Sequence, residues 1–172
     1  MHMKMTSAYA NKMLKQLAED KSYWVNKEND SCLYSAAVGE TPVIPEYDFA
    51  GVSATIEKID EKTRILKHAI NLANVTGEVD VNGSRMTIDV ILIAMAQLNK
   101  RKGFLDSLRR QQPQSRKSAG FYSSRAVQPE YQYINYDLDL AKSEYERVSK
   151  EIMDMQMALD KYNQTVEFEA AV

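Results

Sequence analysis

Residues 99–117, NKRKGFLDSLRRQQPQSRK, carry seven basic side chains: Lys100, Arg101, Lys102, Arg109, Arg110, Arg116 and Lys117. Asp106 is the single acid among them, so the stretch is +6 inside a chain of net charge −2. Three chemistries suit such a cluster. It can bind the phosphates of a nucleic acid, with Tyr122, Tyr131, Tyr133 and Tyr136 stacking on bases. It can hold a small anionic, nucleotide-like ligand, because guanidinium groups pair bidentately with phosphate. That pocket would use Arg109, Arg110, Arg116, Lys117 and Arg125 with Tyr122 and Tyr133. It can also neutralise acidic helices in its own chain or a neighbour's, since residues 137–172 carry −5. The last reading ranks first, the ligand pocket second and nucleic acid third. A negative total charge and the lack of a nucleic-acid fold signature weigh against the third.

Catalytic and metal chemistry finds little material. Besides His2, His68 is the one histidine, and it sits in LKHAIN beside Lys67. It is expected as a packed or hydrogen-bonded structural residue. There is no Gly-x-Ser-x-Gly elbow to supply a nucleophile. Cys32, in NDSCLYS, has acids for neighbours, and acids raise a thiol pKa. One cysteine and one credible histidine cannot build a structural zinc site, and the two Glu-x-x-His pairs of a di-iron bundle are missing. No phosphate-cradling glycine loop occurs. No enzyme activity, cofactor or metal is expected.

Long helices must position whatever the basic stretch does. Val52, Ile56, Ile59, Thr63, Leu66, Ile70 and Ala73 are spaced 4, 3, 4, 3, 4, 3, which is a heptad seam. Leu138, Ala141, Tyr145, Val148, Ile152, Met155, Leu159 and Tyr162 repeat the pattern near the C-terminus. Ile88, Ile91, Leu92, Met95, Leu98, Leu105 and Leu108 give a third apolar side, and Ile93 and Ala96 spread it further round the helix. These patterns, with a weaker stripe near the N-terminus, predict helices over about 6–28, 50–75, 87–112 and 137–164. NKENDS, from Asn26 to Ser31, reads as a break or a frayed region. Met1-His2-Met3 reads as a cloning remnant, and His2 is given no role.

Two inserts carry β signals. Asn82-Gly83 within 77–86 predicts a hairpin, because type I′ turns need two residues at positive φ. The tyrosine-rich 119–136 suggests short strands that pair with that hairpin, and TVEFEA near the end alternates like another strand. The expected fold is mainly α: a long antiparallel helical hairpin or coiled-coil bundle with a small β-hairpin element, one domain over 1–172. Broad apolar stripes on narrow helices favour a homo-oligomer. No apolar run approaches the roughly 18 residues of a membrane span, and MHMKMTSAYANK lacks a signal-peptide core. A single cysteine fits a cytoplasmic setting without membrane partners.

The ordered segments IPEYDF (44–49), IEKID (56–60), LKHAINLAN (66–74), MTIDVIL (86–92), QLNKRK (97–102), YINYDLDLAKSEYE (133–146) and LDKYNQT (159–165) resemble an uncharacterised, mainly helical bacterial family labelled septicolysin-like. The resemblance covers roughly residues 14 to 168. It implies long antiparallel helices with a small β excursion, and an oligomer. It supplies no active-site residues. The label suggests a cytolysin, yet the sequence has no amphipathic hairpin or apolar loop suited to membrane insertion.

Overall fold

Four helices and six short strands make up the chain in this computed structural model, which describes residues 2–116 and 130–171. The helices are α1 (Ser7–Ser31), α2 (Phe49–Thr76), α3 (Ile88–Arg109) and α4 (Leu138–Thr165). The strands are β1 (His2–Thr6), β2 (Glu78–Val81), β3 (Ser84–Thr87), β4 (Gln114–Arg116), β5 (Tyr131–Tyr133) and β6 (Glu167–Ala171). They form three two-stranded sheets, β1–β6, β2–β3 and β4–β5. The fold is therefore mainly α with small β elements. One domain was the expectation from length. The contacts gather into two compact units, one of Met1–Val79, Thr87–Asp89 and Asp160–Val172, the other of Asp80–Met86 and Val90–Leu159.

The first unit is built on α1 and α2. Lys21 Nζ meets the Asp60 carboxylate at 2.7 and 2.8 Å, and the Tyr47 hydroxyl donates to Glu28 Oε1 at 2.9 Å. Later α1 residues thus meet earlier residues on or before α2, so the helices run antiparallel. Leu66 is fully buried, in a cluster with Met5, Ala10 and Ala170. Met13, Leu14, Leu17, Ala69, Ile70 and Phe168 pack around it. β1 and β6 close this end as an antiparallel pair, His2 opposite Ala171 and Thr6 opposite Glu167. His2 and Met3, read as part of a cloning remnant, therefore begin a strand, because Met5 needs an apolar seat and β6 offers an edge to pair with. The expected break at 26–31 is also absent. Helix α1 continues to Ser31, where Cys32 N–H donates to Glu28 O at 2.9 Å.

Both heptad seams face inward. In α2 the buried positions are Val52, Ile59, Leu66 and Ala73, each seven residues from the last. In α4 they are Ala141, Val148, Met155 and Tyr162, with Leu159 also buried. Seven residues fall about 20° short of two full helical turns, so such a series stays on one side of a helix. Tyr162 donates its hydroxyl to Ala73 O at 3.2 Å in the first unit. That contact explains Gly77: a Cβ there would run into the Tyr162 hydroxyl and lie 2.7 Å from Ala73 O.

The second unit contains most of α3 and α4. Ile91, Leu105 and Val148 are buried within it. The Tyr136 hydroxyl, just before α4, donates to Leu108 O at 2.6 Å. Leu108, near the end of α3, meets Tyr136 just before α4, and earlier α3 residues Leu105 and Arg101 share a cleft with later α4 residues Ala141 and Glu144, so the two helices run antiparallel. Asp137 caps α4, its Oδ1 accepting from the Asp139 and Leu140 N–H groups at 2.8 and 3.1 Å. The β2–β3 hairpin turns at Asn82 and Gly83, with φ of 53° and 85°, as the Asn-Gly signal required. Asn82 Nδ2 donates to Asp154 Oδ2 at 2.8 Å, which ties the turn to α4. The tyrosine-rich insert does supply a short strand, β5, but it does not join this hairpin. β4 pairs with β5, Gln114 opposite Tyr133 and Arg116 opposite Tyr131. Immediate chain neighbours pair more readily because less entropy is lost in closing the loop.

Candidate functional site: the basic stretch and the tyrosine ribbon

The end of α3 spends its arginines locally. Asp106 lies three residues before Arg109 and four before Arg110, the spacings at which helical side chains meet. Arg109 Nε donates to Asp106 Oδ1 at 2.8 Å, and an Arg109 Nη contacts the same oxygen at 2.6 Å. An Arg110 Nη contacts Asp106 Oδ2 at 2.8 Å. The hydrogen bond from Arg109, helped by the charge of both arginines, holds the Asp106 carboxyl below its usual range. Arg109 also lies over the Tyr145 ring at 4.0 Å, and Lys102 approaches that ring at 5.5 Å.

This geometry engages Arg109 and Arg110, two members of the expected anion pocket, with Asp106. A helix C-terminus presents carbonyls, the negative end of its dipole, and repels anions. The Leu108 carbonyl is already occupied by Tyr136 and by Gln111 N–H at 3.1 Å. A cleft of about 210 Å³ does open beside it, lined mainly by Leu108, the amides Gln111, Gln112, Gln132 and Asn135, and Tyr133. Of the four described residues expected to line a ligand pocket, Arg109, Arg110, Arg116 and Tyr133, only Tyr133 lines this cleft. A second cleft of about 280 Å³ has an apolar floor of Leu105, Leu108 and Ala141, and its charged rim is Arg101, Asp137 and Glu144. Two carboxylates against one guanidinium do not select an anion.

Arg116 and Tyr133 do come together. Residues opposite each other in an antiparallel pair share a face, and so do alternate residues along each strand. Gln114, Arg116, Tyr131 and Tyr133 therefore occupy one face of the β4–β5 ribbon, and Gln114 Nε2 donates to the Tyr133 hydroxyl at 3.3 Å. Both tyrosines and Arg116 are exposed. Lys117, Tyr122 and Arg125 lie outside the described residues.

The acidic helices meet the basic stretch only in part: the charge of Arg101 helps lower the Glu144 carboxyl, and other partners come from elsewhere. Arg147 holds Glu144 and Glu151 within α4, and its hydrogen bond depresses the Glu144 carboxyl. Asp154 takes Asn82, and Asp60 takes Lys21. Arg109 and Arg110 pair with the acid inside their own segment instead. The signal for this was Asp106 itself, at i−3 and i−4 from two arginines. Tyr145, a seam position in the sequence, was not legible as a cation acceptor. His68, expected to be packed, is exposed on α2, since its place in the helical period falls outside the α2 seam. Cys32 is an exposed free thiol. No group of three or more His, Cys, Asp or Glu residues suited to a metal ion occurs among the described residues. Among them, too, no helix is long and apolar enough to cross a membrane.

No protein-family model matches this chain, and no curated protein matches it. A solved structure, a functionally unknown conserved protein from Corynebacterium diphtheriae, is similar to it with a TM-score of 0.66. The two share 16% sequence identity over 96% of this chain and 99% of that one, so the likeness is one of fold.

Proposed function

We propose that this protein is a non-enzymatic subunit of a homo-oligomer, with a binding or assembly role. The outward face of α3 carries the reading. Ile91 and Leu105 are buried on one side of that helix, while Ile93 and Phe104 are 57% and 56% exposed. At about 100° per residue, the exposed pair lies roughly opposite the buried pair. Leu92 and Val90 are also exposed, so the first half of α3, IDVILIAMAQL, is apolar nearly all round. A helix of that composition belongs inside a structure, and a single copy covers one side of it. Among the described residues, 16 hydrophobic side chains are buried and 21 large ones are exposed. Association with a second copy removes that imbalance.

The resemblance to septicolysin-like proteins, with its implied oligomer, points the same way. A cytoplasmic setting fits the exposed thiol of Cys32, which is protected where disulfides are kept reduced. Sedimentation velocity tests the reading: a mass that is a multiple of the 19.6 kDa subunit supports it, and a 19.6 kDa species at every concentration refutes it.

A nucleotide-like ligand is the second reading. The observation that favours it is the shared ribbon face of Arg116 and Tyr133, with Arg109 and Arg110 no longer part of the site.

A further inference from the structure

We propose that the Tyr131–Tyr133 face of the β4–β5 ribbon is a stacking platform for single-stranded nucleic acid. Two exposed aromatic rings on alternate residues of one strand stand about 6.8 Å apart along it. Neither ring belongs to the buried core, with Tyr131 46% and Tyr133 64% exposed. The Tyr133 hydroxyl is tethered by Gln114, which restrains the ring before anything binds. Arg116 is the residue opposite Tyr131 in the register, on the same face of the ribbon. Rings that present faces to bases, with a cation near the phosphates, are the parts a sequence-tolerant single-strand site needs.

Charge agrees with this placement. The unit that holds the ribbon has twelve basic and nine acidic residues, so it is +3 within a chain of −2. The first unit holds the complementary excess of acid. Glu130, the nearest acid in sequence, precedes Tyr131 at one end of the ribbon. A free mononucleotide suits the geometry less well. The cleft beside Tyr133, at about 210 Å³, is smaller than the roughly 300 Å³ at which ligand pockets usually begin. A strand of bases crossing an open ribbon needs no enclosure.

The test is fluorescence anisotropy of the full chain with labelled oligothymidylates of roughly 6, 12 and 24 nucleotides, at about 50 and 200 mM salt. Affinity is expected to rise with length and fall with salt. Tyr131→Ala and Tyr133→Ala should each weaken binding about 5- to 150-fold, while Tyr131→Phe and Tyr133→Phe retain it. Arg116→Ala should lower the slope of log K against log salt by about 0.7. Four results would overturn the proposal. They are no binding of the longest oligonucleotide at low salt, alanine variants that bind like wild type, and thymidine monophosphate competing as well as the long strand. The fourth is a change of oligomer mass in the alanine variants, which would make the ribbon a contact between copies.

Discussion

Replacing Ile93 and Phe104 by lysine should dissolve the oligomer and leave the subunit folded. Both side chains are a little over half exposed in the single chain, so an interface over them would cover roughly 100 Å² on each. At about 25 cal/mol per Å², that is about 2.5 kcal/mol per residue. The two lie eleven residues apart on α3, about 16 Å along the axis, far enough for their effects to add. About 5 kcal/mol is lost per copy, equivalent to three to four decades in the dissociation constant. In a two-fold symmetric interface each substitution occurs twice, and the loss grows. Lysine also brings an uncompensated charge into the joint. Sedimentation velocity at low micromolar concentration should then give the 19.6 kDa subunit, with helical circular dichroism and cooperative melting preserved. An unchanged oligomer mass in the double variant would refute the assignment of this face. Loss of folding in the variant would instead mean that the α3 face is part of the subunit's own core.

Other substitutions probe the interior. Leu66→Ala empties a fully buried site in the first unit and should cost about 2–5 kcal/mol in a urea titration; a loss below about 1 kcal/mol would mean that the cluster repacks freely. Gly77→Ala should destabilise by about 1–3 kcal/mol, because the new methyl collides with Tyr162 and with the Ala73 carbonyl. Part of that loss should return in Gly77→Ala/Tyr162→Phe, which removes the hydroxyl; an unrelieved penalty would place the strain at the ring carbon, 2.5 Å from the new methyl, or at the Ala73 carbonyl at 2.7 Å. Asp106 has a depressed pKa in the folded chain, so its pairing stabilises above the unfolded carboxylate range. That contribution is lost as pH falls through the folded value. Melting temperature measured from neutral pH into the acid range should therefore fall less steeply in Asp106→Asn than in the wild type, and identical acid profiles would contradict the pairing.

Spacing alone was enough to read α2 and α4, because a seven-residue repeat forces one side of a helix to be apolar wherever that helix lies. Val52, Ile59, Leu66 and Ala73, and likewise Ala141, Val148 and Met155, are buried at the positions the repeat selects. Asn82-Gly83 announced its turn for an equally local reason, since few other residues tolerate positive φ twice in succession. Pairing between distant segments left no such local mark. Nothing within MHMKMT reveals a strand until Glu167–Ala171 is brought alongside it. The basic stretch shows the same divide. Seven cations in nineteen residues state a charge, whereas their availability depends on where each side chain ends. Asp106 and Tyr145 engage Arg109, Asp106 also takes Arg110, and the pairing of β4 with β5 leaves Arg116 exposed beside two tyrosines. Periodicity records which face of an element must leave water. Which partner covers that face, and which charges stay unspent, is settled by contacts between residues far apart in the chain.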